Sequence, residues 1–268
     1  MASTKPRALI AVSYEEWARE YLRSLPPEHF MEAVGQSTQR KVTLESFDVL
    51  KLRRPDVHVF SEMLVQYPRP RQRRPGQVVP DNMIVLCNKP IRADSSFNLP
   101  LEPCRPFWML EYVSKNNKRK DYEDNFDKYE QELRVPYYLT FYPDDQELTL
   151  YRHDGKKYVS VKPNKHGRLP IPKLDLEVGL LDGWVRFWHL GELLPLPADL
   201  ELALKEAQRR ADEADRRAEQ AQRRADEEKS RADEFERRLA AVEHELAQLR
   251  ASAQSPPTQR SNGSKTGK

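Results

Sequence analysis

Short apolar runs separated by turn residues dominate residues 57–161 and predict a β-rich region. The runs are rich in β-branched and aromatic residues, which favour pleated strands. They cover residues 57–60, 63–67, 78–86, 107–113, 135–142, 147–151 and 158–161. The last three runs are joined by short polar turns and predict a hairpin meander. Residues 170–195 are also apolar, and we expect them to close the same sheet.

Helical periodicity appears before the strands and once among them. Ser13 and the glutamate three residues later form a capping box, which predicts a helix over residues 14–24. Thr43 is the predicted N-cap of a second helix, which Pro55 ends. Apolar residues at helical spacing predict a third helix over residues 119–134.

From Leu200 to Leu249 the apolar and small residues alternate at spacings of four and three, with Glu228 as the interruption. Near-identical Arg-Arg-Ala-Asp-Glu units at 209–213 and 223–227 repeat over two heptads. This pattern predicts a coiled-coil helix over residues 198–252, and we expect it to form a homodimer. The alternative interpretation is a single charged helix in solvent.

Composition divides the chain in the same way. Hydrophobic residues make up 38% of the 268-residue chain and charged residues 32%, but large apolar side chains are concentrated before residue 200. We predict four segments, which follow in chain order. They are a helical lead-in at 1–40, a globular domain at 41–197, the coiled coil at 198–252 and a disordered tail at 253–268.

The two cysteines, Cys87 and Cys104, do not form a Cys-x-x-Cys pair, which argues against a zinc site. We therefore expect reduced cysteines in an intracellular protein. No apolar run is long enough for a signal peptide or a membrane span. The expected location is the cytoplasm, with no membrane partner.

Two acidic residues stand beside or within apolar runs. Asp81 opens one predicted strand, and Glu111 lies inside another, where an unpaired carboxylate is costly to bury. Two such carboxylates can hold Mg²⁺, which prefers hard oxygen ligands and activates water for phosphodiester hydrolysis. The alternative for Asp81 is a turn residue after Pro80, and the alternative for nearby basic residues is a solvated loop.

The spacing of these residues resembles a known family. The sequence is similar to the putative restriction endonuclease family of the PD-(D/E)XK nuclease superfamily. The residues that carry the resemblance are, in chain order, Pro80-Asp81, Leu110-Glu111-Tyr112-Val113-Ser114, Asp121 at the start of a helix, Tyr129 and Val135-Pro136-Tyr137-Tyr138. The resemblance covers about residues 40–195. It implies an α/β, restriction-endonuclease-like core with a mixed central sheet flanked by helices. It also implies that Asp81 and Glu111 bind the metal.

The catalytic lysine of that family is displaced here. Its two expected positions hold Val113 and Asn125, so we consider Lys115 and Lys128 as replacements. Lys115 shares a strand face with Glu111 if the strand continues, and Lys128 lies three residues beyond Asn125 on the helix. Glu45 and Glu62 are the candidates for an additional acidic residue that completes the metal site.

These features predict a DNA endonuclease that uses Mg²⁺, with Mn²⁺ as a substitute. Basic runs at 69–74 and 115–120 are predicted to contact phosphates. One alternative is a nuclease-fold protein that has lost catalysis and binds nucleic acid or acts as a coiled-coil scaffold. Another alternative is a purely structural interaction protein.

Overall fold

The computed structural model describes residues 7–25, 34–70, 72–113 and 124–253. Helix α1 spans Arg7–Ser24 and helix α2 spans Val34–Arg53. Both begin before their predicted starts, so Ser13 and Thr43 are not N-caps. Thr43 is buried inside α2, where its hydroxyl bonds a tyrosine of the sheet instead of the helix backbone.

The described residues form thirteen strands, of which the longer ones agree with the predicted runs. They are β1 Val57–Ser61, β2 Leu64–Tyr67, β3 Gly76–Val78, β4 Asn82–Leu86, β5 Ser96–Asn98, β6 Pro106–Tyr112, β7 Tyr137–Tyr142, β8 Glu147–His153, β9 Tyr158–Ser160, β10 Leu169–Ile171, β11 Leu176–Leu181, β12 Trp184–His189 and β13 Glu192–Leu193. The predicted run at 78–86 is divided, because the chain leaves β3 before it enters β4.

The central sheet has six strands in the order β1-β4-β6-β7-β8-β9. Only the β6–β7 pair is parallel, and the other pairs are antiparallel, so the sheet is mixed as predicted. Strands β7, β8 and β9 form the predicted meander. Because successive strand residues alternate between faces, the sheet separates two hydrophobic clusters, and α2 packs in one of them.

Residues 170–195 do not close the central sheet, which corrects the prediction. They form a separate four-stranded sheet, β10-β11-β12-β13. Its apolar residues join the cluster around Phe47 and Leu50 of α2. The Gln39 side chain ties α2 to this sheet, since its amide donates to the Val185 carbonyl at 3.0 Å and accepts from the Val185 N–H at 2.7 Å. Apolar content showed that these strands are buried but not which strands they would pair with.

A third sheet, with the strand order β3-β2-β5, packs against the face of the central sheet opposite α2. Its Val65, Val78 and Phe97 join the second hydrophobic cluster. Helix α1 contacts this sheet through its backbone, because Gln66 and Gln77 donate side-chain hydrogen bonds to carbonyl groups of α1 at 2.8 and 3.1 Å.

The parallel pair β6–β7 requires a crossover connection, and this connection contains a helix. Residues 124–133 are helical and end in a π-helix at Lys128–Leu133. Tyr129 and Leu133 are buried, as the predicted apolar stripe requires. Residues 119–123 of the predicted helix lie outside the described residues.

The expectation of reduced cysteines is wrong. Cys87 and Cys104 form a disulfide with their Cα atoms 5.8 Å apart. Cys87 directly follows β4 and Cys104 precedes β6, and these two strands are neighbours in the sheet. The two cysteines are 17 residues apart in the sequence, and the pairing of β4 with β6 in the sheet brings them together.

Helix α3 spans Pro197–Ala253, a length of 57 residues, and confirms the predicted long helix. Contacts divide the chain into two compact units, Met1–Leu200 and Glu201–Lys268. The division of the chain into the predicted segments stays a prediction. The pairing of α3 in a coiled coil also stays a prediction. The predicted tail beyond Ala253 lies outside the described residues. Within the described ranges, no helix has the length and apolar content that a membrane span needs.

Candidate active site

Strands β4 and β6 bring Asp81 and Glu111 together. The antiparallel register pairs Asn82 with Leu110, so one step further along the ladder places Asp81 opposite Glu111. The Asp81 N–H donates to Glu111 Oε2 at 3.4 Å. Glu111 is 4% exposed, whereas Asp81 is half-buried. Two carboxyl groups predicted from the sequence therefore lie side by side at the edge of a buried region.

Asp81 is held through both its side chain and its backbone. The Tyr112 N–H donates to Asp81 Oδ2 at 2.6 Å. The Asp81 carbonyl accepts from the Ser61 hydroxyl at 3.1 Å and from the Glu62 N–H at 3.2 Å. These contacts come from the adjacent strands β1 and β6 or from the residue that follows β1, so the carboxylate has little freedom to turn.

Glu111 is held by the crossover helix. Its Oε1 accepts from Asn125 Nδ2 at 3.1 Å and from the Tyr129 hydroxyl at 2.6 Å. Burial and the negative charge of Glu111 raise the pKa of Tyr129 well above its ordinary value, so the hydroxyl stays protonated and donates. Hydrogen bonds of this kind offset the cost of burying a carboxylate inside an apolar strand.

Helix α2 fixes the end of β6 from the opposite face of the sheet. The hydroxyl groups of Thr43 and Tyr112 are 2.5 Å apart, and Gln36 Nε2 donates to the Tyr112 carbonyl at 2.9 Å. Tyr112 follows Glu111 directly, so its side chain points to the other face. Burial raises the pKa of Tyr112 far above its ordinary value, which keeps its hydroxyl neutral.

The two lysine candidates have different outcomes. Lys115 lies outside the described residues. Lys128 begins the π-helix, is half-buried and precedes Tyr129, and its catalytic role stays a prediction. Val113 is buried and apolar, but Asn125 contacts the Glu111 carboxylate. Position 125 therefore reaches the site with a neutral amide in place of a lysine.

The two further acidic candidates are engaged elsewhere. Glu45 pairs with Lys41 along α2 at 3.7 Å. Glu62 is next to Asp81 through its backbone, but its carboxylate contacts Arg40 of α2. Across the described ranges, no group of three or more His, Cys, Asp or Glu side chains is arranged to hold a metal.

The donor chemistry of the pair still fits Mg²⁺. Asp81 and Glu111 supply hard carboxylate oxygens on neighbouring strands. Mg²⁺ sites commonly use one or two protein carboxylates and complete six-fold coordination with water and substrate phosphate oxygens. Asp81 and Glu111 are therefore the residues that would hold the ion.

Part of the basic run at 69–74 is neutralised by acidic partners. Arg69 Nε lies 2.8 Å from Glu132 of the crossover helix, and Arg74 Nη1 lies 2.9 Å from Glu20 of α1. Arg73 is exposed. The second basic run, at 115–120, lies outside the described residues, as does position 71.

Sequence reasoning missed the role of one residue at this site. The sequence places Tyr129 in the apolar stripe of the crossover helix and among the residues of the family resemblance, but the structure shows that its hydroxyl donates to Glu111 Oε1 at 2.6 Å. Its position among the buried residues of the helix could have indicated a role, because a buried tyrosine hydroxyl needs a polar partner. The partner could not be read from the sequence, since Glu111 lies on another element.

The family model Uma2, described as "Putative restriction endonuclease", matches residues 25–182, which is more than half of the chain. The chain belongs to the Uma2 family. Both carboxylates and the crossover helix lie inside the matched region, whereas α3 lies outside it. No curated protein matches this Uma2 member.

A distant structural similarity is also found. A crystal structure described as a putative nuclease belonging to DUF820 from Anabaena variabilis aligns with a TM-score of 0.39 and 16% sequence identity. The alignment covers 54% of this chain and 76% of that chain. At this distance no residue role is transferred from that protein.

Proposed function

We propose that this Uma2 protein is a Mg²⁺-dependent endonuclease that hydrolyses DNA phosphodiester bonds. The observation that carries the proposal is the pair of adjacent carboxylates formed by Asp81, directly before β4, and Glu111 of β6, in which the Asp81 N–H lies 3.4 Å from Glu111 Oε2. Membership of the Uma2 family supports a nuclease function. The use of Mg²⁺ and of DNA as the substrate is part of our proposal.

The protein's own residues account for binding and orientation. Asp81 and Glu111 present carboxylate oxygens to the cation, and the Tyr112, Asn125 and Tyr129 contacts hold those carboxylates in place. When bound, Mg²⁺ supplies an activated water and neutralises charge on the phosphate. Such preorganised groups need little rearrangement when charge develops during the reaction.

The direct test is cleavage of DNA by the full chain with Mg²⁺ or Mn²⁺. Asp81→Asn and Glu111→Gln each remove one negative charge with little change of shape, and we expect cleavage to fall by about 100-fold or more. Mn²⁺ binding, followed by calorimetry, should weaken in both variants while DNA binding persists.

The matched control is Asp182→Asn, which makes the same charge change at an exposed turn of the separate sheet. This control should cleave DNA and bind Mn²⁺ as the unmodified chain does. Equal cleavage by Glu111→Gln and the control would remove the proposed role of the carboxylate pair.

A second candidate function has its own supporting observation. Asn125 occupies the position where the family's lysine is expected, and it contacts Glu111 at 3.1 Å as a neutral donor. A site of this kind could bind nucleic acid without cutting it. Salt-sensitive DNA binding, together with intact plasmid, linear DNA and RNA in both metals, would favour this function over the first.

We also propose that the chain forms a homodimer through α3. Phe235 is 77% exposed and Leu249 is 66% exposed on the isolated helix, as are other apolar residues of the heptad pattern. Leu239→Gln with Leu246→Gln in the full chain should abolish dimers in sedimentation, because both side chains are exposed in the single chain. Unchanged mass would contradict this proposal.

A further inference from the structure

The heptad pattern of α3 divides into core positions and flanking positions. The core positions, called the seam here, are mostly alanine in the first part of the helix and large apolar residues in the last part. The a positions of the heptad are Leu204, Ala211, Ala218, Ala225, Ala232, Leu239 and Leu246, and the d positions are Leu200, Ala207, Ala214, Ala221, Glu228, Phe235, Val242 and Leu249. The large members are exposed in the isolated chain, so the seam has the character of an interface.

The flanking positions carry an unequal charge pattern. The g positions, each just before an a residue, hold an alanine, then five successive arginines and an acid: Ala203, Arg210, Arg217, Arg224, Arg231, Arg238 and Glu245. The e positions, each just after a d residue, are mixed and mainly acidic or neutral: Glu201, Gln208, Asp215, Gln222, Lys229, Glu236, Glu243 and Arg250. In coiled coils, e and g charges select the partner and its orientation.

We infer that α3 pairs with a second copy of itself as a parallel, in-register coiled coil. This inference rests on the proposed self-association and adds the orientation. Charge complementarity between two identical helices supports a second copy as the partner of the seam.

In a parallel pair, each g residue faces the e residue five positions later on the other helix. Four of these contacts join opposite charges, and each occurs twice by symmetry. They are Arg210 with Asp215, Arg231 with Glu236, Arg238 with Glu243, and Glu245 with Arg250. The contact of Arg224 with Lys229 joins like charges, and the remaining contacts involve neutral residues.

The like-charged contact coincides with the interruption of the seam. Glu228 is the d residue that lies between Arg224 and Lys229 in the parallel pair. Two Glu228 carboxylates therefore meet two arginines and two lysines in one layer. When the helices are in register, the acidic core residues and the basic flanks compensate one another within this layer.

The antiparallel arrangement places the arginine run against itself. With full overlap, Leu204 faces Leu249, and g residues then face g residues. Arg217 would meet Arg238, Arg224 would meet Arg231, and the e residue Asp215 would meet Glu236. Two contacts would join opposite charges, Arg210 with Glu245 and Glu201 with Arg250. This arrangement matches alanines with large residues, but three of its charged flank contacts are repulsive and two attractive, whereas the parallel pair has four attractive contacts and one repulsive contact.

Ion pairs within the helix do not prevent the parallel contacts. Arg210 pairs with Glu206 at 2.6 Å, and Arg238 pairs with Glu234 at 2.5 Å. All four side chains are more than half exposed. Exposed pairs of this kind contribute little, so each arginine can exchange its partner when a second helix arrives.

The orientation has a consequence for the nuclease proposal. The residues that carry Asp81 and Glu111 precede α3 in the chain. Parallel pairing therefore attaches both copies of the carboxylate pair to the same end of the coiled coil. Antiparallel pairing would attach them to opposite ends.

Cysteine cross-linking in the full chain tests the orientation. Ala211→Cys and Val242→Cys are prepared separately and oxidised with glutathione disulfide, which accepts the two electrons of each new disulfide. In a parallel, in-register dimer each variant should cross-link with itself. In the antiparallel dimer, identical sites lie 31 helical residues apart, or about 46 Å, and cannot cross-link.

Two controls accompany this experiment. The unmodified chain should not cross-link, because both of its cysteines form the internal disulfide. Ser230→Cys, on the outer face of the heptad, should not cross-link either. Cross-linking only in a mixture of Ala211→Cys and Val242→Cys chains would establish the antiparallel dimer and overturn the inference.

Sedimentation of the same unmodified chain separates the two proposals. A monomer at all concentrations would overturn self-association itself. A dimer without cross-links in any combination would show another interface and would overturn the parallel seam. Cleavage activity is not needed for any of these outcomes, so loss of the nuclease proposal would leave the test intact.

One charge substitution should change the dimer dissociation constant in opposite directions for the two orientations. Glu236→Lys faces Arg231 in the parallel dimer, and we expect the dimer dissociation constant to rise about tenfold. The same change faces Asp215 in the antiparallel dimer and would lower the constant. Adding Arg231→Glu should restore affinity in the parallel dimer.

Discussion

Asn125 shows how one residue can keep a site's geometry while changing its charge. Its amide lies 3.1 Å from Glu111 Oε1, so it supports the carboxylate as a neutral hydrogen-bond donor. A lysine at the same position would add positive charge where a phosphate and an activated water are proposed to lie. We therefore expect the residue at position 125 to influence the rate of the proposed reaction.

We predict that Asn125→Lys increases metal-dependent DNA cleavage by about tenfold or more, because the ammonium group adds electrostatic stabilisation next to Glu111. Initial cleavage rates of the full chain measure the effect. The longer side chain enters a buried position, so some loss of stability is expected, of about 1–3 kcal/mol.

The matched control is Asn125→Met, which has a similar length but no charge. It should show the same loss of stability without the gain in rate. If lysine and methionine variants cleave equally, position 125 is not where positive charge assists the reaction.

At the scale of elements, strands β4 and β6 are joined by more than their ladder. The loop between them is closed by the Cys87–Cys104 disulfide. Cys87 follows β4, which Asp81 precedes, and Cys104 precedes β6, which contains Glu111. A crosslink restricts the unfolded chain, and it stabilises more when the closed loop is longer.

We predict that reduction of this disulfide lowers the free energy of unfolding by about 3 kcal/mol, the value expected for a loop with a sequence separation of 17 residues. Urea unfolding with and without a thiol reductant measures the change. The double variant Cys87→Ala/Cys104→Ala should be less stable from the start and insensitive to reductant. An equal response of both proteins to the reductant would contradict the prediction.

Elements also show where local pattern misleads. The capping residues Ser13 and Thr43 suggested helix starts, but α1 and α2 begin at Arg7 and Val34. A residue with N-cap preference can lie inside a helix when its side chain makes a tertiary contact. The Thr43 hydroxyl makes such a contact with the Tyr112 hydroxyl. Propensity is weaker than such contacts.

At the scale of the whole molecule, buried tyrosines connect stability to alkaline pH. Burial raises the pKa values of Tyr67, Tyr112, Tyr129 and Tyr158 above the ordinary 10.0. In the unfolded chain these hydroxyls ionise near that ordinary value, while the folded chain keeps them protonated. Their contribution is therefore fully present below about pH 10 and is lost as pH rises toward the folded pKa values.

We predict that the free energy of unfolding falls by about 1.4 kcal/mol per buried tyrosine for each pH unit above the ordinary value. Urea unfolding near neutral pH and about one unit above 10.0 measures this fall. Tyr129→Phe should be less stable near neutral pH but should show a shallower alkaline loss. Tyrosinate absorbance that titrates fully near the ordinary value in the folded state would contradict the prediction.

The sequence by itself determined the local elements and the acidic pair. Strands such as β6 and β7, the long helix α3 and the residues Asp81 and Glu111 follow from apolar periodicity and from carboxylates in apolar surroundings. These signals are carried by neighbours in the chain, so they can be read without a fold.

Only the tertiary structure decided what those elements contact. It separated β10–β13 from the central sheet, paired Cys87 with Cys104, and brought Asn125 and Tyr129 onto Glu111. Each of these outcomes joins residues that are distant in the chain. Apolar content and helical spacing specify burial, but they do not specify the partner, because many partners satisfy the same hydrophobic demand.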